Sequence, residues 1–190
     1  MKITRENAWK LLQQHVESKS LIKHCLAVEA GMIGYAQKYG EDIEEWAALG
    51  LLHDLDFEKD PENHPYRGAE MLKEEGYPEE FVKAVLGHGD ETNTPRDTRM
   101  AKALYAVDQL SGFITACVLV RPSRSFDDLK VKSVTKKMKD KAFARAIDRD
   151  GIRRGAEELG VELSEHIQLM IDALGKREKE LNAEGLSLLD

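Results

Sequence analysis

His53 and Asp54 set an imidazole beside a carboxylate at the end of the apolar run Ala47-Ala48-Leu49-Gly50-Leu51-Leu52. An ionised Asp after a buried stretch is costly to desolvate unless a positive group meets it, and a metal ion is an economical partner. Donors of the same kind recur along the chain. His24 lies upstream, His64 and His88 follow, and Asp108 sits within Leu104-Tyr105-Ala106-Val107-Asp108-Gln109-Leu110. Imidazole nitrogen with carboxylate oxygen suits divalent Mn, Fe, Co, Ni, Zn or Mg. His15 and His166 stand apart from this set and read as surface or packing residues.

Helices must position these groups, because almost every segment longer than a turn has helical period. Trp9, Leu12 and Val16 mark a first short helix. Leu21, His24, Val28 and Met32 fall at i, i+3, i+7 and i+11, which turns His24 inward among apolar neighbours. A third helix begins near Asp42, with Glu45 three residues on, and carries Trp46, Leu49, Leu52 and His53. It ends close to the doublet, because Asp56-Phe57-Glu58-Lys59-Asp60-Pro61-Glu62-Asn63-His64-Pro65 holds two prolines and no sustained period. That loop is expected to fold back over the helix end.

Short helices at about 66–75 and 78–86 come next, stopped by Gly87-His88-Gly89, whose glycines permit close backbone approach or positive φ. A long helix starts at Asp97 or Thr98, runs to about Val120, and turns Asp108 toward the core with Leu104, Val107, Leu110, Ile114 and Val118. A basic run from Lys130 to Lys141 places Lys132 and Lys136 at i, i+4, and two more helices span about 150–159 and 164–181. With no repeat and no β-hairpin signal, the expected fold is a single all-α domain over residues 1–190.

The order His24, His53-Asp54, Asp108 resembles the H…HD…D signature of the HD superfamily of metal-dependent phosphohydrolases. The additional His64, in His-Pro-x-x-Gly-Ala-Glu, and His88 are similar to the subset that binds two metals. The resemblance covers about 20–120 and implies a core of about five helices, with a C-terminal helical extension at about 121–185. It also implies roles: Asp54 bridges two ions, His24, His53 and Asp108 complete one site, and His64 and His88 the other. The doublet reads His53-Asp54-Leu55-Asp56, and Gly87-His88-Gly89 offers one histidine rather than a pair, so the chain departs from the cyclic-dinucleotide type of HD protein.

The expected activity is hydrolysis of a small phosphate ester or anhydride by metal-activated water, with one or two ions per chain and nucleotides leading by family analogy. Among the loop acids Asp56, Glu58 and Asp60, Glu58 is the first choice to orient water or a ligand histidine. Arg67, Arg121, Lys132 and Lys136 are candidates for substrate phosphate. Arg121 leads, because a guanidinium grips phosphate bidentately, and Arg121 and Lys132 are counted with Asp54 and Glu58 as catalytic candidates. Two other classes use the same residues: a di-iron oxygenase, and a non-catalytic, metal-stabilised module that binds a phosphorylated ligand.

Composition bounds these readings. The 190 residues are 42% hydrophobic and 33% charged, enough for a core without disulfides. No apolar run approaches the ~20 residues of a membrane span, and the first residues lack a signal's apolar core, so no membrane partner and a cytoplasmic location are expected. A net charge of −7 argues against general nucleic-acid binding. Cys25 and Cys117, without CxxC spacing, read as reduced core thiols. Oligomeric state is not legible.

Overall fold

Polar side chains at helix starts fix most of the element boundaries. In the computed structural model, which describes residues 2–189, Thr4 caps α1 (Arg5–His15), Ser18 caps α2 (Lys19–Tyr39) and Asp42 caps α3 (Ile43–Leu52). Each accepts a hydrogen bond from a backbone N–H of the first turn that has no partner inside the helix. After a looped segment come α4 (Tyr66–Glu74), α5 (Glu79–Gly87), a 3-10 turn (Asp90–Thr92) and α6 (Arg99–Leu119), capped by Thr98. The chain closes with α7 (Val131–Met138), α8 (Arg149–Leu159) and α9 (Leu163–Ala183). The described residues are all-helical, as the period requires. The basic run, whose Lys132 and Lys136 were read at i, i+4 spacing, contains α7, whose Val134 and Met138 reach the core.

Helix α2 is the hub: it packs against α3, α6 and α9, while α8 crosses α6. Two crossings are close because glycine removes the side chain between them. A Cβ on Gly50 of α3 would lie 2.6 Å from the Glu29 Cα of α2, and one on Gly155 of α8 would lie 2.7 Å from the Ala106 Cα of α6. The first draws together the helices that carry His24 and His53, and a Cβ on Gly31 of α2 would likewise lie 2.5 Å from Val107 Cγ1 of α6, the helix that carries Asp108. Cys25 and Cys117 are buried free thiols in this core.

Glu29 is fully buried, a lone acid within Ala27-Val28-Glu29-Ala30. Its carboxylate accepts from Arg5 at the start of α1 and from Arg177 of α9, the latter at 3.3 Å. His166 of α9 is also buried. Its Nε2 donates to the Ala106 carbonyl at 2.8 Å and its Nδ1 meets the Tyr35 hydroxyl, a packing role as expected. No helix among the described residues is long and apolar enough to cross a membrane.

Candidate metal centre and its cavity

Two histidines are presented by the same local device. His53 follows the last residue of α3 and His88 the last residue of α5, and each ring turns back to bond the carbonyl three residues earlier: Gly50 O at 2.8 Å from His53 Nδ1, and Val85 O from His88 Nδ1. A carbonyl only accepts, so both Nδ1 atoms carry a proton and it is Nε2 that each ring presents to the centre. His64 reaches the same state through a side chain. Its Nδ1 lies 2.7 Å from Asp56 Oδ1, while Asp56 Oδ2 accepts from the Gly68 N–H at 2.7 Å. His24 comes from the middle of α2.

Asp54 sits between these rings. Its Oδ2 is 3.5 Å from His24 Nε2 and 3.3 Å from His53 Nε2; its Oδ1 is 3.5 Å from His64 Nε2 and 3.3 Å from His88 Nε2. Asp108 Oδ1 approaches His24 Nε2 at 3.0 Å and His53 Nε2 at 3.7 Å. Within each histidine pair the two Nε2 atoms are 3.2 Å apart. For His64 and His88 the Nδ1 atoms are committed elsewhere, so the rings bring Nε2 against Nε2, an approach that two neutral rings would leave without a proton between them. A shared cation resolves this, and the donor set of nitrogen and carboxylate oxygen suits a divalent transition ion.

Electrostatics point the same way. Burial works to raise the Asp54 carboxyl, yet the His53 imidazole beside it holds it well below the usual range, and Asp108 is likewise lowered against its burial by His24 and His53. Burial disfavours charge on His53, but Asp54 and Asp108 outweigh it and hold its pKa well above the ordinary imidazole value. Both carboxylates stay ionised in a poorly hydrated place that demands positive charge. The residues fit a metal: His24, His53 and Asp108 converge, as do His53, Asp54 and His88.

The centre forms the floor of a cleft of about 800 Å³. The loop after α3 folds over it as expected, contributing Phe57, Glu58 and His64, while Tyr105 and Gln109 line it from α6. Ile147, Asp148 and Gly151 close the far side from the C-terminal extension. Neither Gly87 nor Gly89 has positive φ. Gly87 instead permits close approach, its missing Cβ lying 3.2 Å from Arg96 Cγ, and Arg96 donates to the Gly87 carbonyl at 2.8 Å to hold the His88 turn.

Of the residues singled out in the sequence, the six nitrogen and oxygen donors meet at this floor. The basic candidates do not. Arg67 pairs with Glu70 at 3.1 Å and borders a separate hollow; Arg121 donates to Asp128 at 2.8 Å; Lys132 and Lys136 are exposed on α7; and none of the four is on the cleft wall. Glu58 does border the cleft, but one of its oxygens accepts from the Glu17 and Ser18 backbone N–H groups, both at 2.9 Å. The acid that holds a ligand histidine is Asp56, which the loop reading ranked below Glu58. Its signal was position, two residues beyond Asp54 and one helical turn from the buried His53. Tyr105, one turn before Asp108 on α6, was legible in the same way; Asp148 and Gly151 come from a distant segment and carried none.

Residues 21–112 match the family model of the HD domain. The resemblance to the HD domain is thus shown over this stretch, which carries all six of the nitrogen and oxygen donors. Over 98 residues it is 33% identical to Ribonuclease Y of Lawsonia intracellularis (strain PHE/MN1-00), a match covering 50% of this chain and 19% of that protein. No solved structure matches the chain.

Proposed function

We propose that this chain is a metal-dependent phosphohydrolase of small phosphorylated substrates, with nucleotides the leading class and up to two divalent ions at the floor of the cleft. The observation that carries this reading is Asp54, whose two oxygens each face a separate pair of imidazole Nε2 atoms. In this assignment His24, His53 and Asp108 would hold one ion and His64 and His88 the other, with Asp54 serving each. A bound divalent ion supplies a Lewis acid that polarises phosphoryl oxygens and acidifies water.

The protein's own residues set the stage for that chemistry. Backbone carbonyls of Gly50 and Val85 and the Asp56 carboxylate lock three rings in one tautomer, so no reorganisation is required when an ion arrives. The Phe57 ring stands edge-on to His64, 5.2 Å between centroids. Glu58 keeps its loop fastened to the start of α2, which carries His24.

A second reading is favoured by the relative's name: hydrolysis of phosphodiester bonds in RNA. The match reaches only 19% of that protein, and the cleft wall of this chain carries no Lys or Arg to follow a polyanion. Release of orthophosphate from a panel of phosphomonoesters and anhydrides, and shortening of a short RNA, with chelated protein and with each of Mn, Fe, Co, Ni, Zn and Mg, tests the proposal. Metal-dependent turnover supports it, and absence of turnover with every combination refutes it.

A further inference from the structure

The wall above the centre has an unusual charge balance for a site that handles phosphate. Its carboxylates include Glu58, Asp90, Glu91 and Asp148, in addition to Asp54 and Asp108 on the floor, and it has no Lys or Arg of its own. The nearest cations are already engaged. Arg96 is gripped by Glu158 at 2.6 Å and meets Asp90 at 3.1 Å; Arg154 meets Asp90 at 2.9 Å and Asp148 at 3.6 Å. Two guanidiniums thus serve Asp90, Asp148 and Glu158, and Glu91 has no ion pair among the described residues.

Neutral groups occupy the rest of the wall. Tyr105 has its hydroxyl committed, donating to Asp90 at 2.9 Å and accepting from Arg154 at 2.8 Å. The Gln109 amide, next to Asp108 in sequence, has no hydrogen-bond partner among the described residues, and offers both donors and an acceptor. Leu21 and Ile147 add apolar surface. A cleft of about 800 Å³ accepts an organic body of nucleoside size beside one phosphoryl group.

We propose that this cleft takes phosphate monoesters of an uncharged, hydrogen-bonding organic body, read by Gln109, and excludes substrates with further phosphates through Glu91 and Asp148. The inference rests on the phosphohydrolase reading for the position of the reacting phosphate. One phosphoryl dianion is matched at the metal centre. Any additional phosphate, in an anhydride chain or on either side of a diester in RNA, has to lie against carboxylates that the neighbouring arginines leave undercompensated.

The test compares AMP, ADP, ATP and a short oligoadenylate on metal-replete protein with Mn in excess over nucleotide, measured both by product release and by calorimetric binding. The expected result is that kcat/KM and affinity for AMP exceed those for ATP by about tenfold or more, with the oligonucleotide weaker still. Glu91→Lys with Asp148→Asn should narrow the gap between AMP and ATP by improving ATP. Gln109→Leu should raise KM for AMP with metal content retained. If no probe is turned over with Mn, the metal screen above decides the phosphohydrolase reading, and calorimetry alone decides the charge selection. Equal or tighter binding of ATP, a gap unchanged by the charge variants, or no binding of AMP overturns the proposal.

Discussion

Asp56 holds His64 by one oxygen and the Gly68 backbone N–H by the other, at 2.7 Å each, so both of its acceptors are committed before any ligand arrives. Asparagine cannot replace it, because its NH2 would face a donor on one side or the other. Asp56→Asn should therefore weaken the ion assigned to His64 and His88 by about 10–100-fold while leaving the one at His24, His53 and Asp108. Calorimetric metal titration checks this: two ions bound with unchanged affinities would exclude a role for Asp56 in the second position.

Glu58 ties the loop to the chain just before α2 through two N–H groups. Loss of such a cap costs about 1 kcal/mol. Glu58→Ala should lower the unfolding free energy by about 1 kcal/mol, read as an earlier denaturation midpoint, while keeping full metal content. A variant as stable as the parent but unable to turn over substrate would instead return Glu58 to a direct part in the reaction.

Arg121→Ala removes a partner of Asp128, an exposed pair away from the cleft. Such pairs contribute little. The expected kcat/KM stays within roughly twofold of the parent, and a tenfold loss with normal metal content would show that the guanidinium reaches substrate.

His166 gives a pH signature that the metal centre does not share. Burial pushes its pKa down from 6.5 to about 4, against the Ala106 carbonyl that favours the protonated ring. The unfolded chain then binds the extra proton first as pH falls. Its contribution is fully present above about 6.5, declines between 6.5 and 4, and declines no further below that. Over that window the parent should lose about 3 kcal/mol relative to a His166→Phe variant. Parallel stability curves for the two proteins would contradict a neutral buried imidazole.

Most of the histidines and aspartates of the cleft floor were readable because they lie on a helix face or at a helix end whose period fixes their direction. His24 shares the α2 face with Leu21 and Val28, and Asp108 the α6 face with Leu104. What lay beyond reading was anything decided by the meeting of distant segments. Lysine spacing on α7 placed Lys132 and Lys136 together but not near the cleft, since period says which way a helix faces its own core and nothing of what stands opposite. Arg121 was misjudged for the same reason: its partner, seven residues on, is a loop acid that only folding brings within 2.8 Å. Glu29, an acid in an apolar run that the sequence reading passed over, takes both its partners from outside the matched stretch.

That last fact bears on modularity. Residues 21–112 are recognisable as a unit of descent, but Glu29 lies inside them while Arg5 and Arg177 lie outside. An excised 21–112 fragment would seal a carboxylate in apolar surroundings with neither counter-ion, a defect of about 3–5 kcal/mol in comparable buried pairs. What heredity delimits here is smaller than what can stand alone. Transplanting this core into another scaffold requires carrying along its two arginines, or else replacing Glu29 with an apolar residue of similar volume.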